Sequence, residues 1–462
     1  MIATPVPPGP RTRVPGAHLL AFARDMLGFV CRLKREYGDV VAFRLGPERA
    51  VLLSHPAHLH EVLVRQHRAF QKGRRGEVST QWLGEGLLNS EGARHQHQRR
   101  LLQPALHRQR LAAYATTMTT HAARLSQTWQ DGDTLDITLA MMRVTLAIAA
   151  HTLLDADIEA EATAIGQAIT TLLQGSARVP LPLAPLVRRL PLPSQRRLRR
   201  AEAYLDTLIY RLIDERRATG GTTGDVLTML LDARTEDGHP LRPRQIHDEA
   251  LTLLLAGHET TALALSWTWY LLAHHPDVDA AMQAELQTVL GGRLPTAEEL
   301  PQLRYTRMVL TEALRLYPPA WLMTRRAREE VTIGDYRFAP GTFFLLSPYL
   351  MHHDARFFPD PEAFVPTRWA SPPEAGPARH AYQPFGGGPR QCLGEGFAWM
   401  EGLLVLATLA QTWRMQLIPG PPVEPWGLVT LRPKQGIQVH LARRGPRGIT
   451  HPGATAREEE AG

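Results

Sequence analysis

The stretch "FGGGPRQCLGEGFA", Phe385 to Ala398, decides how this chain is read. The sequence of 462 residues holds two cysteines, and Cys392 sits in a glycine-crowded turn just ahead of an apolar segment that reads as a helix. Gly386, Gly387 and Gly388 let the backbone approach a flat or bulky group with no Cβ in the way, and Gly394 keeps the far side open. A helix N-terminus favours a thiolate and can hydrogen-bond its sulfur. Arg390, two residues earlier, is placed to meet an anionic group. A buried cysteine on a flexible loop is the plain alternative. A phosphate-binding loop fails, because no lysine follows a glycine at the required spacing. The dinucleotide fingerprint fails as well, because Gln391 stands where its last glycine belongs.

The totals narrow the field. A formal charge of +7 arises from 52 basic and 45 acidic residues, and lysine occurs only at Lys34, Lys72 and Lys434. Basicity carried almost wholly by arginine reflects codon composition better than nucleic-acid binding, so no nucleic-acid partner is expected. Cys31 and Cys392 cannot build a disulfide framework, a four-cysteine zinc site or an iron–sulfur cluster. The opening "MIATPVPPGPRTRVPG" lacks the apolar core of a secretory signal, and a cytoplasmic location is expected. "EALTLLLAGHETTALALSWTWYLLA", Glu249 to Ala273, is long enough to cross a membrane. His258 and Glu259 stand in its middle, where an ionised carboxylate costs about 2.5–3.5 kcal/mol. A buried core helix with a functional kink is the better account, and no transmembrane anchor is expected.

Residues 1–15 form a proline-rich extension, 16–443 a single domain, and 444–462 a polar tail expected to be disordered. "VVAFRLGPERAVLLS", Val40 to Ser54, reads as two short strands around a turn, and the text from about His58 to Ala280 is mostly helical. "EVTIGDYRFAPGTFFLLS", Glu330 to Ser347, reads as a hairpin and a further strand. The connection from Pro180 to Pro193 mixes apolar and basic residues, which suits a flap or lipid-contacting surface or a plain solvated linker. The fold class is mainly α with a smaller β region.

The cysteine turn resembles the haem-binding signature of the cytochrome P450 family, Phe-Gly-x-Gly-x-Arg-x-Cys-x-Gly and then a small residue. Every fixed position matches, from Phe385 through Gly386, Gly388, Arg390, Cys392 and Gly394 to Ala398. Three further family features occur in order. In "AGHETT", Ala256 to Thr261, the resemblance makes Glu259 and Thr260 an acid–alcohol pair that relays protons, while Ala256 and Gly257 leave space at the haem face. A helical hydroxyl can also capture a backbone carbonyl and bend the helix locally. Zinc binding through His-Glu-x-x-His is excluded, because Ala262 replaces the second histidine. In "EALR", Glu312 and Arg315 share a helix face and alone would be a surface ion pair; the resemblance buries them with Arg368 of "FVPTRW" as a structural trio. In "GARHQHQRR", His95 takes the place of the family's tryptophan and Arg99 follows four residues on. With Arg325 (or its neighbour Arg326) and Arg390, these form the expected propionate set.

The resemblance implies the family's triangular helical prism, with haem b between the relay helix and the cysteine-loop helix and Cys392 as its thiolate ligand. It implies a bacterial-type soluble monooxygenase that activates dioxygen and hydroxylates or epoxidises an apolar substrate, such as a terpenoid, carotenoid or fatty acid. Electrons would come from a separate ferredoxin or flavodoxin with its NAD(P)H-dependent reductase. Trp321, Leu322 and Met323 are expected to line the substrate pocket. A peroxide-driven peroxygenase and a non-catalytic haem ligand-binding protein are the rivals, and an intact Glu259–Thr260 pair argues against both.

Overall fold

The segment Pro243–His274 is apolar on nearly every side, and a helix of that composition belongs inside a protein. The computed structural model places it there; it describes residues 5–11, 14, 16–73, 82–178, 192–220, 225–235, 237–371 and 380–445. The longer helices in chain order are α1 (Ala17–Arg24), α2 (Met26–Tyr37), α3 (Gly92–Leu102), α4 (Arg108–Gln127), α5 (Ile137–Leu154) and α6 (Ala162–Arg178). They continue with α7 (Pro193–Thr219), α8 (Pro243–His274), α9 (Pro276–Val289), α10 (Arg304–Leu316) and α11 (Glu395–Thr412). Most of the Pro180–Pro193 connection and the tail beyond Gly445 lie outside the described residues.

Pro243 opens α8 at a position that needs no N–H donor, and the Arg242 N–H donates to Gln245 Oε1 at 2.9 Å to cap the first turn. From there α8 runs through the main core, packing most extensively on α5 and also on α10 and α11. Among the described residues α5 is the one helix long and apolar enough to cross a membrane, and it is spent on this packing.

The sheet component frames the helices. β1 (Val40–Leu45) and β2 (Glu48–Leu53) form the expected hairpin, turning at Gly46 with φ +63°. They join β8 (Phe343–Leu346), β5 (Met323–Ala327) and β3 (Phe70–Lys72) in the order β1-β2-β8-β5-β3, with only the β2–β8 pair parallel. Every residue of β8 is buried, as an interior strand covered on both faces requires. β6 (Val331–Ile333) and β7 (Tyr336–Phe338) make the second expected hairpin. Nearer the C-terminus, β12 (Gln438–Arg443) lies between β4 (Thr134–Asp136) and β9 (Trp413–Leu417). The hairpin β10 (Pro425–Gly427) and β11 (Leu431–Pro433) is brought against α8, where Trp267 Nε1 donates to the Leu431 carbonyl at 3.1 Å. The proline-rich start is docked: the Ala42 N–H of β1 donates to the Pro8 carbonyl at 2.8 Å.

Candidate active site

The cysteine turn is built from its own backbone. The Cys392 N–H donates to the Phe385 carbonyl at 3.0 Å, and Gly386 N–H to Gln383 at 3.2 Å. Gly386 (φ +71°) and Gly388 (φ +68°) occupy left-handed conformations that favour glycine. A Cβ on Gly388 would lie 1.9 Å from the Leu63 carbonyl oxygen, so a neighbouring backbone excludes any side chain here. Gly387 is extended and carries no such requirement, while a Cβ on Gly394 would meet nothing within 4 Å. Phe385 tilts against Trp399, ring centres 5.7 Å apart. The Cys392 side chain is exposed at its surface, yet the surrounding protein desolvates the sulfur and pushes the thiol up, while an N–H bond from Gly394 opposes that by favouring the thiolate. α11 begins at Glu395, three residues past the sulfur.

What holds this turn is a buried carboxylate. Both Glu312 and Arg315 are fully buried, and they pair in a fork: Nε to Oε2 at 2.9 Å and Nη2 to Oε1 at 2.8 Å. Glu312 also accepts from Arg368 Nε at 3.1 Å, Trp369 Nε1 at 2.8 Å and the Val365 N–H at 3.2 Å. Arg315 donates onward to the carbonyls of His352, Pro361 and Ala363. His352 completes the path, donating from Nδ1 to the Arg315 carbonyl and accepting the Gln383 N–H at Nε2, 3.0 Å each. Burial holds its ring neutral, with a pKa lowered to about 3. The trio expected from the sequence is therefore brought together; His352 and Trp369 were missed.

The cations gather at one place. β3 and β5 pair so that Lys72 stands directly opposite Arg325. Like charges at that position repel. Burial and then the charges of Arg390 and Arg325 lower the Lys72 pKa to about 7; burial and then Arg390 lower that of Arg325 to about 10. His95 feels burial first and then the same cations, at about 4, so its imidazole is neutral. Among the described residues, Glu91 is the one carboxylate acting on this group, 2.7 Å from Arg390 Nη2. Three enclosed cations against one acid form a site for a dianionic ligand, and the two propionates of a haem fit it. Arg99 donates to the Gln391 carbonyl at 2.9 Å, clasping the cysteine turn itself. Arg326 is engaged elsewhere, by Glu48 at 3.1 Å, which leaves Arg325 as the member of that pair facing the cluster. Lys72 was missed, although its rarity was a signal: it is one of three lysines in the chain.

On α8 the Thr260 hydroxyl donates to the Ala256 carbonyl at 2.9 Å, and Ala256 is exposed. The helix is unbroken from Pro243 to His274, with this hydroxyl taking a carbonyl one turn back. A Cβ on Gly257 would lie 3.2 Å from Leu153 and 3.6 Å from Ala149 of α5, so this glycine lets the two helices approach closely. Glu259 is buried; Thr430 donates to its Oε1 at 2.6 Å and Arg432 Nε lies 3.5 Å away. Burial raises its pKa, with Arg432 and Thr430 pulling the other way. No sequence signal reveals these two partners, because the β10–β11 hairpin must first fold against α8. Trp321 and Leu322 also depart from expectation. Trp321 is fully buried, donates from Nε1 to the Leu428 carbonyl at 3.1 Å, and shares with Leu322 a second core beneath α2 and β2. Large apolar side chains there fill the interior rather than a substrate pocket. Met323 is half-buried, its sulfur 3.4 Å from where a Gly386 Cβ would sit.

The sequence profile of the Cytochrome P450 family matches residues 7–440. The chain belongs to the cytochrome P450 family. Cyclooctatin synthase of Streptomyces melanosporofaciens is 40% identical over 88% of this chain and 89% of its own. Cyclooctat-9-en-7-ol 5-monooxygenase of the same organism is 39% identical over 87% and 88%. Pentalenene oxygenase of Streptomyces avermitilis is 34% identical over 93% and 95%. The protein is thus a P450 monooxygenase using haem on a cysteine thiolate, and the turn, its support and the cation cluster are the parts such a cofactor needs.

Glu312→Ala leaves Arg315 and Arg368 buried without their carboxylate, and unfolding in urea should show a loss of about 3–5 kcal/mol. Lys72→Met should raise the melting temperature of the apoprotein by relieving repulsion, yet speed transfer of haem to an acceptor globin; an unchanged transfer rate would detach Lys72 from the propionates.

Proposed function

We propose that this P450 hydroxylates a cyclic terpene-type hydrocarbon, with Glu259 and Thr260 as the proton-relaying pair and Cys392 as haem ligand. When bound, the haem supplies dioxygen activation and insertion of one oxygen atom into the substrate. His95, Arg325 and Arg390, joined by Lys72, would hold the propionates, and Arg99 would keep the cysteine turn in register against α3. Phe385 and Gly386 would shape the approach to the sulfur, and Gly394 would stabilise it as thiolate through its N–H.

The observation that carries the reading is the pairing on α8. A buried acid, its pKa raised, is held by Thr430 and Arg432 one residue from a hydroxyl anchored to the Ala256 carbonyl. Enclosure makes this carboxyl hold a proton more readily than an ordinary exposed carboxylate does, which suits a proton donor. The terpene-type substrate is supported by the names of the three Streptomyces relatives. Electrons would come from a ferredoxin or flavodoxin with its NAD(P)H-dependent reductase, as the family membership suggests.

With surrogate ferredoxin and reductase, pentalenene should shift the haem toward high spin, accelerate NADPH consumption and give a product one oxygen atom heavier. Turnover of fatty acids alone, with no response to any cyclic terpene, would overturn the substrate assignment. Thr260→Ala should lower product per NADPH about tenfold or more and release peroxide instead; unchanged coupling would remove Thr260 from the relay.

A further inference from the structure

Glu259 is closed to solvent, so a proton that leaves the Glu259–Thr260 pair must be replaced from somewhere else. An opening exists further toward the start of α8. A cleft of about 230 Å³ lies between α3, the residues around Thr235 and Asp237, and the first turns of α8. That is room for several waters. Glu249 lines it. Its side chain is 2% exposed; Oε2 accepts the Leu87 N–H at 2.9 Å, while Oε1 has no partner. One turn on, Thr252 is buried with its hydroxyl also unpartnered, against the backbone of Gly86. Residues 249, 252, 256 and 260 are spaced by three, four and four, so they share one face of the helix. The last two are Ala256 and Thr260, whose hydroxyl is bonded to the Ala256 carbonyl.

We propose that Glu249 admits protons from this cleft and passes them along that face of α8, through Thr252, to the Thr260 hydroxyl. The inlet rests on the relay reading above and supplies it. Thr252 and Thr260 lie about 12 Å apart along the axis, a span for two or three waters. In each passage the Glu249 carboxyl gives its proton to a bridging water. The Thr252 hydroxyl receives one proton and releases its own onward, and the remaining carboxylate takes the next proton from the cleft. No charge accumulates along the line. The groups facing Glu249 suit the task. Burial pushes its pKa up to about 7; the Leu87 N–H and Arg94 of α3 pull down, and Asp248 pushes up. His97 and Asp237 line the same cleft. A donor at about 7 is half-charged near neutrality and can be reloaded from water.

Two measurements need no turnover. In the apoprotein, infrared titration should show a carboxyl band lost near pH 7 that is missing in Glu249→Gln. A carboxyl whose pKa is raised on folding stabilises the fold below its ordinary pKa and loses that contribution as pH rises through 7. Glu249→Gln should therefore gain in melting temperature over the wild type between about pH 5 and about pH 8. In the haem-loaded chain with surrogate ferredoxin and reductase, NADPH oxidation without added substrate should fall off above about pH 7. Glu249→Gln should slow it about tenfold and flatten that profile. Glu249→Asp should restore the profile, and Thr252→Val, which keeps shape and removes the hydroxyl, should slow oxidation likewise. Wild-type rates and profile in both Glu249→Gln and Thr252→Val would overturn the inlet. If Thr260→Ala alone shifts the balance between peroxide and water, the relay stands and only the inlet fails. If Thr260→Ala changes nothing, the relay reading itself has failed.

Discussion

The carboxylate of Glu312 is the constraint on which the rest depends. It is fully buried, and it accepts from two arginines, an indole and a backbone N–H. A charge so placed is tolerable only with every partner present, so the geometry of those partners is fixed together. Arg315 spreads the constraint across the irregular run by gathering three carbonyls, and His352 hands it to Gln383. From Gln383 the backbone bonds of Gly386 and Cys392 complete the path. The sulfur is therefore held by a chain of hydrogen bonds that begins some eighty residues away in sequence. A thiolate ligand needs this rigidity, because its position sets that of the cofactor.

Charge is distributed by need along the site. Lys72, Arg325 and Arg390 are crowded together at the β3–β5 edge, where they oppose one another and call for an anion. Along α8 the reverse holds: Glu249 and Glu259 are buried acids whose pKa values are raised by enclosure. In the roles proposed above, the first arrangement would bind the propionates and the second would hold protons. Each is unfavourable for folding on its own, which is characteristic of groups kept for function.

The cysteine signature was fully legible, because its glycines and cysteine lie close together in sequence. Glu312 with Arg315, and Glu259 with Thr260, were legible for the same reason: one helix carries both partners. The β1–β2 and β6–β7 hairpins followed from short apolar runs around turns. Partners supplied by a distant segment were not legible. Thr430 and Arg432 reach Glu259 only through the β10–β11 hairpin, and Lys72 meets Arg325 only through the strand register. Trp321 illustrates the converse. Its size suggested a pocket wall, but an indole with a carbonyl partner is at home in a core. Gly388 shows the same limit, since the Leu63 carbonyl that excludes a Cβ there belongs to a distant segment.

Everything at this site depends on Cys392, held by the Glu312 network, ligating haem as a thiolate. The carbon-monoxide difference spectrum of the dithionite-reduced, haem-loaded protein tests it most directly. A Cys392 thiolate on the iron should give the strongly red-shifted Soret band of thiolate ligation. A band at the shorter wavelength of a neutral ligand, in freshly prepared folded protein, would contradict it and remove the chemical basis of the monooxygenase site.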